Sequence, residues 1–411
     1  MSQFEYPKLR NVELIPVKIG EKRGIALRDP LRYTDEVIFL PEEAMAVVRL
    51  FDGARTTRDI QYELNRQYGT LLNSDSIENI ARDLDDHLFL YSERFFKEKR
   101  RVEEHFANSD VRPAIHAGLA YSEAPNDLIA ELDSYFKSAA GKKRSGGDDY
   151  SGVTPRGIIA PHISINAGGT CFAGAYRVIS DSPPADLYVI LGVGHSEIDY
   201  LFAGTKKHFE TPLGMVKTDR ATMEEINRLF GGWLFFGEPN HRIEHTIEFQ
   251  SVFLKYSLRE SNFSILPILA SFPHQAFSIK ELDSMKTTIE LFVSSLKRTL
   301  DAHPGKVTII ASVDFAHVGL RYGDQDEPDS STLERVKMRD LEMMDIISEG
   351  DAEKFMSHIV EDDNGRHVCG YGSIYTMLRV LSDCRGIILD YDTTVMDQMN
   401  STVTFASMAL Y

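Results

Sequence analysis

The sequence predicts an α/β fold: a mainly parallel central sheet covered by helices, preceded by a small winged-helix-like α+β domain. Three observations carry this. From about residue 155 the chain alternates short, continuously apolar runs with helical stretches, the pattern of strands buried on both faces. Three of those runs lead at once into His or Asp, and ligand sites in such sheets lie beyond the strand ends. Residues 1–95 instead show short strands followed by three amphipathic helices.

In that first stretch, Val12–Ile19 and Arg23–Leu27 read as strands around the turn Gly20-Glu-Lys-Arg, and Val37–Leu40 as a third. Pro41 opens a helix over Glu42–Phe51, closed by Asp52-Gly53. Thr57–Tyr68 is a second helix, ended by Gly69. Ser74 starts a third, with Ile77, Ile80, Leu84 and Leu88 on one stripe. Residues 96–112, rich in charge, read as a solvated linker helix, and residues 113–411 as the α/β domain. That domain opens with a helix over Pro125–Ser138 and a polar, Gly-rich segment, Ala139–Tyr150, expected to be mobile. Its apolar runs are Gly157–Ala160, Leu187–Leu191, Ser264–Leu269, Val307–Ser312 and Gly386–Leu389.

Composition narrows the partners. Of 411 residues, 45 are Lys or Arg and 62 are Asp or Glu, a net charge of −17 that argues against a nucleic-acid binder. The basic clusters Lys97–Arg101 and Lys142–Arg144 are short and lie in or beside the linker. No apolar stretch approaches the ~18–20 residues of a membrane span, and the N-terminus lacks a signal-peptide core. Three cysteines, Cys171, Cys369 and Cys384, suit a reducing compartment; the expectation is a cytoplasmic protein. The sequence is silent on oligomeric state.

The candidate chemistry stands at the strand ends. Strand 157–160 runs into Pro161-His162, strand 187–191 into Gly192-Val-Gly-His195, and strand 307–312 into Asp314-Phe-Ala-His317. The run at 264–269 leads less pointedly to His274. A lone His after a strand is ordinarily a structural hydrogen-bonder; three in one sheet point to a shared pocket, and neutral imidazole is a common ligand for iron, zinc and copper. In Asn240-His-Arg-Ile-Glu-His-Thr-Ile-Glu248, Asn240 reads as an N-cap, with His241, Glu244, His245 and Glu248 on one helical face. His-x-x-Glu-His is also an inverted zincin motif, which would make His241 and His245 zinc ligands and Glu244 the base of a hydrolase. The other reading is a capped helix whose Glu and His line a pocket wall. Cys369, beside Gly370 and Gly372, is a soft ligand type or nucleophile whose flanking glycines allow close backbone approach. Gly192-x-Gly194 lacks the third glycine of a dinucleotide fingerprint, and no Walker A or Gly-x-Ser-x-Gly sequence is present.

Taken in order, these stretches resemble the Memo family. They are Val111-Arg-Pro-Ala-Ile-His-Ala-Gly, Gly157-Ile-Ile-Ala-Pro-His162, Leu191-Gly-Val-Gly-His195, Phe209-Glu-Thr-Pro-Leu-Gly214, Glu244-His-Thr-Ile-Glu248, Ser312-Val-Asp-Phe-Ala-His317, Cys369-Gly370 and Ser401-Thr-Val-Thr-Phe-Ala. Within that family the branch called AmmeMemoRadiSam system protein B is the nearest in pattern. The resemblance implies a fold like the class III extradiol dioxygenases, metal ligands at His162, His195 and Cys369, and pocket residues at His245, Asp314 and His317. It implies non-haem iron or copper, with zinc compatible with the ligand set. Two departures stand out: Ile163-Ser164 follows His162 where the family often has Ala-Gly or Ile-Asp, and Val193-Gly194 replaces a hydroxyl-bearing pair. Residues 1–95 resemble the PqqD-like modules of radical SAM pathways through Arg28-Asp-Pro-Leu, Phe51-Asp-Gly-Ala-Arg-Thr-Thr and the three-helix pattern. Such modules bind peptide by strand addition. The expectation is therefore a metal-dependent redox or dioxygenase-like protein, against a non-catalytic peptide- or protein-binding component of a radical SAM system, with the zinc hydrolase third.

Overall fold

Two compact units make up the computed structural model, Met1–Asn108 and Ser109–Tyr411, and each buries its own apolar side chains. The structure describes all residues except 1–3, 20–21, 70–72, 142–149, 151, 196–199, 260 and 274–278. The expected turn at Gly20, the basic cluster at 142–144, most of the Gly-rich segment and His274 lie outside the described residues.

In the first unit, β1 (Glu13–Ile19), β2 (Lys22–Arg28) and β3 (Val37–Pro41) form an antiparallel sheet in that order. Four helices follow: α1 (Glu42–Val48), α2 (Thr57–Tyr68), α3 (Ser74–Asp86) and α4 (Glu93–Asn108). Thr56 and Asp59 make a capping box on α2, and Gly69 ends it at φ 63°. Helix α1 stops short of Phe51, which is buried with Val47 and Val48. The α3 stripe ends at Leu84: Leu88 stands beyond the helix at φ 68°, and its carbonyl accepts from Arg10. The linker expectation also changes, because α4 groups with the first unit; it buries Phe95, and Glu103 accepts from the Tyr33 hydroxyl.

The second unit opens with β4 (Val111–Arg112), α5 (Pro125–Ala140), β5 (Gly157–Ala160), α6 (Ile165–Ser180), β6 (Leu187–Val193), β7 (Phe202–Gly204), β8 (His208–Phe209) and α7 (Arg220–Leu229). A 3-10 turn (Glu238–Arg242), α8 (Thr246–Ser257), β9 (Ser264–Ala270), α9 (Ile279–Asp301), β10 (Val307–Ser312) and β11 (His317–Val318) follow. A second 3-10 turn (Leu320–Tyr322), α10 (Ser330–Glu349), α11 (Ala352–Val360), α12 (Tyr371–Leu381), β12 (Gly386–Val395) and β13 (Thr402–Leu410) complete the chain. The large sheet runs β11-β13-β5-β10-β6-β9-β7, with β12 paired to β13. Strands β5, β10, β6 and β9 are mutually parallel, while β7, β11, β12 and β13 are antiparallel to their neighbours.

Side chains of the parallel strands alternate between two cores. Ile159, Val189, Leu191 and Ile309 join one with α7, α9, α10, α11 and α12. Ile158, Tyr188, Ile190 and Ile310 join the other with α5, α6 and α8. That is why these strands read as unbroken apolar runs. The run at 386–389 differs from expectation: it begins an antiparallel strand beyond the parallel core.

Strand β10 lies between β5 and β6, so the connection from β5 through α6 to β6 passes over the place that β10 later fills. The carboxyl ends of these three neighbours lie side by side, the place where sheets of this kind carry a ligand crevice. Because each unit buries its own core, a Ser109–Tyr411 fragment is expected to fold alone, with a cooperative urea transition followed by circular dichroism. A fragment that aggregates or unfolds without cooperativity would contradict the division.

Candidate metal centre

His162 follows β5 by two residues. Its backbone N–H and that of Ile163 donate to Asp314 Oδ1, at 2.9 and 3.1 Å. Its Nδ1 lies 2.9 Å from the Ser312 carbonyl oxygen, which only accepts, so Nδ1 carries the proton and Nε2 presents a lone pair. That Nε2 is 3.4 Å from Cys369 Sγ and 3.6 Å from Asp314 Oδ2. Burial, with His195 and His245 nearby, pushes the His162 pKa well below the ordinary imidazole value, so the ring is neutral.

His195 follows β6, and its side chain is 37% exposed, the most open of the group. Its Nδ1 is 3.2 Å from both oxygens of Glu244, which leaves Nε2 for the crevice. Burial would lower the His195 pKa, but the Glu244 carboxylate and the Cys369 sulfur outweigh it and hold the ring protonated. Glu244 also accepts from the backbone N–H groups of His195 (2.9 Å), His245 (2.9 Å) and Thr246 (3.2 Å), and lies 3.1 Å from His245 Nδ1. Burial opposes its ionisation, yet the imidazoles of His195 and His245 hold its pKa well below the usual carboxylate range.

Cys369 enters from the loop before α12. A Cβ on Gly370 would fall 2.2 Å from Val313 Cβ, so only glycine lets this backbone lie against the segment after β10. Burial raises the Cys369 pKa, so the free side chain is a thiol.

The ligand-type atoms of His162, His195 and Cys369 lie within 4.8 Å of one another. Ligands at about 2.0–2.3 Å from one metal stand roughly 3.3–3.8 Å apart, so adjustments of about 1 Å would close this set. A second group, His195, Glu244 and His245, is equally close, but there the carboxylate is engaged in orienting both imidazoles. The rings of His162, His195 and His245 are 5.1–5.5 Å apart, so His245 stands beside the two imidazoles of this set. Asp314 is buried beside them, and burial pushes its pKa up to about 6 against the opposing backbone donors. His317 lies outside both groups, on β11, with its ring edge-on to Tyr322 at 4.9 Å.

The zincin geometry is not formed. Residues 240–248 are not one helix: a 3-10 turn ends at Arg242, α8 begins at Thr246, and Asn240 lies inside the turn rather than capping a helix. His241 is buried with Nε2 2.9 Å from the Ala203 carbonyl of β7, and it is in neither metal-capable group among the described residues. Burial lowers its pKa to about 4. Glu244 is a hydrogen-bonding hub here, and Glu248 is an anchor.

That anchor brings in residues that spacing did not single out. Arg112 on β4 pairs with Glu248, both fully buried. The same guanidinium donates to the carbonyls of His241 (3.1 Å) and Glu244 (2.7 Å), fixing the turn that presents Glu244 and His245. Tyr121 and the backbone N–H of His116 also donate to Glu248, and His116 stands edge-on to His245 at 5.9 Å. Tyr322 is a further neighbour whose hydroxyl pKa burial raises to about 12, with Asp314 and Cys369 among the lesser causes. Arg112 and His116 were visible only as part of the stretch Val111–Gly118; Tyr322 carried no signal.

This constellation sits inside a stretch that can be compared with known proteins. The family model for Memo-like protein matches residues 112–409. The chain belongs to the Memo family. A MEMO1 family protein of Aquifex aeolicus is 28% identical over 408 residues, covering 98% of this chain and 100% of its own. One from Thermus thermophilus is 26% identical over 336 residues, 82% of this chain and 93% of its own. One from Methanosarcina barkeri is 29% identical over 303 residues, 72% of this chain and 98% of its own. A Memo protein can therefore stand in a chain shorter than this one by about a quarter.

Two predictions follow from the hydrogen bonding. Glu244→Gln is expected to weaken metal binding about 10–100-fold, because it disorients two imidazoles, while His241→Gln leaves affinity within a few-fold. Titration with Co²⁺ measures both, and the reverse ranking would favour the zincin arrangement. The second concerns protons. In the metal-free chain the Cys369 thiol and His195 both hold a proton at neutral pH, and His162 does not. Binding at the three atoms then releases about two protons, so apparent affinity rises with pH until the higher of the two pKa values is passed, with a smaller slope once the lower is passed. Calorimetry in buffers of different ionisation enthalpy reads this number; a release near zero contradicts the ligand set.

Proposed function

We propose that this Memo-family chain binds one transition-metal ion through His162, His195 and Cys369 and carries out redox or dioxygenase-like chemistry there. The observation that supports this most is the closure of two imidazoles and a thiol within 4.8 Å. The outward nitrogens of both rings are already committed, to the Ser312 carbonyl and to Glu244. Two nitrogens and one sulfur suit copper, iron or zinc, and the resemblance to extradiol dioxygenases favours iron or copper. The metal, when bound, would supply an electron-transfer centre or a Lewis acid.

The chain's own groups have roles around it. Asp314, with its raised pKa, and His245, 31% exposed at its side chain, are placed to hold or pass a proton at the crevice. His317 is assigned a positioning role through Tyr322. Among the described residues, the candidate ligands all lie beyond residue 160, in the second unit. We assign the first unit recognition of a peptide or protein of a radical SAM system, held near the crevice by tethering. The net charge of −17 suits such a partner better than nucleic acid.

Anaerobic purification followed by metal analysis tests the reading. About one equivalent of iron or copper is expected, reduced at least tenfold in Cys369→Ser and His162→Ala, with metal-dependent O₂ uptake on a catechol or thiol. Zinc alone, with no uptake, would leave the site and remove the redox assignment. Full metal content in both variants would remove the site itself.

A further inference from the structure

The loop that delivers Cys369 is held in an unfavourable conformation. Between α11 and α12, Asp363, Asn364 and His367 all have positive φ, at 51°, 53° and 50°. Non-glycine residues keep such angles only where the surroundings over-determine them. Local bonds supply part of the hold: Asn364 N–H donates to the Ile359 carbonyl at 3.0 Å, Val368 N–H to Asn364 Oδ1 at 2.9 Å, and His367 N–H to the Asn364 carbonyl at 2.8 Å. A second, long-range hold comes from a side chain that reaches another helix.

Arg366 is 7% exposed. Its Nη1 donates to Asp340 Oδ1 on α10 at 2.6 Å, and its Nε to Asp362 Oδ2 at 3.1 Å. Asp340 is fully buried, and its other oxygen accepts from Thr404 Oγ1 on β13 at 2.6 Å and from the Tyr391 hydroxyl on β12 at 3.1 Å. Thr404 Oγ1 in turn accepts from Ala316 N–H at 2.9 Å, and the Arg366 carbonyl from His317 N–H at 2.8 Å. His367 Nδ1 is 3.1 Å from the His317 carbonyl. The ion pair thus joins the Cys369 loop to α10 and, through Thr404, to the segment Asp314–His317, which also bonds the loop directly at His317 and against which Gly370 lies. Nothing in this network touches the ligand-type atoms, and a helix, two strands and a loop meet in it.

We propose that Arg366 and Asp340 are positioning residues that set Cys369 against His162 and His195 across the crevice. This rests on the metal-centre reading for its function, but the placement of the thiol can be read without metal. The guanidinium fork matters as much as its charge, because it spans Asp340 and Asp362 and so fixes the loop in two directions.

The test uses the full chain with Arg366→Met combined with Asp340→Asn, which removes both charges of the buried pair and leaves only the half-buried Asp362 without its partner. Arg366→Lys serves as the variant that keeps charge and loses the fork. Two readouts separate positioning from simple stability. In the metal-free protein, alkylation of Cys369 by a small maleimide, followed by peptide mapping, is expected to change at least tenfold in the double variant and to change partly in Arg366→Lys. Under Co²⁺, the sulfur-to-cobalt charge-transfer band of the wild type is expected to weaken or shift, with affinity down at least tenfold. Circular dichroism must show the variants folded at the temperature used. A folded double variant with wild-type alkylation rate overturns the proposal, as does an unshifted band with unchanged affinity. If the wild type binds no Co²⁺, the metal reading fails, and the alkylation rates alone decide the positioning claim. If the double variant does not fold, Arg366→Lys decides by the same two readouts.

Discussion

The buried pair of Arg112 and Glu248 is the constraint on which the centre depends. Neither side chain reaches solvent, so each charge relies on the other and on the hydrogen bonds around it. Arg112 spends its remaining donors on the carbonyls of Pro113, His241 and Glu244. Glu248 takes Tyr121 and His116 N–H. Removing one partner of such a pair costs about 3–5 kcal/mol in proteins generally, since the other is left charged and dry. Here the loss would fall on the turn between the 3-10 segment and α8, which places Glu244 and His245.

From that turn the order passes to the imidazoles. Glu244 collects backbone donors from two segments and the Nδ1 groups of two histidines. At the end of β10, the Ser312 carbonyl orients His162 in the same way, with Gln250 donating to both the Pro161 carbonyl and Ser312 Oγ. Buried polar networks of this kind are costly unless fully paired, and when paired they fix one arrangement. The sheet order β5-β10-β6 makes the two supports neighbours. Membership of the Memo family, shown by the match over residues 112–409, covers the whole of this machinery.

Much of this was legible in the sequence, for identifiable reasons. Strands buried on both faces declare themselves as apolar runs, so β5, β6, β9 and β10 were visible, and with them the positions of His162, His195 and Asp314. Strand β13 was not read as a strand, because Thr-Val-Thr-Phe-Ala-Ser-Met-Ala-Leu mixes strand formers with residues of no strand preference; its burial comes from tertiary packing. The apolar run at 386–389 was visible, but its direction was not, since apolarity carries no strand orientation. The segment 240–248 misled for a similar reason. Helical spacing matched, but the chain breaks at Ile243, where Arg112 captures the flanking carbonyls of His241 and Glu244, and those contacts span more than a hundred residues. Long-range polar anchors such as Arg112, Arg366 and Asp340 leave no periodic trace.

The central claim is that His162, His195 and Cys369 form one ligand set. X-ray absorption at the metal edge of the loaded full chain tests it most directly. The account predicts one sulfur scatterer at about 2.3 Å together with nitrogen scatterers at about 2.0–2.1 Å showing the outer-shell pattern of two imidazoles. A spectrum with nitrogen and oxygen neighbours and no sulfur would contradict it.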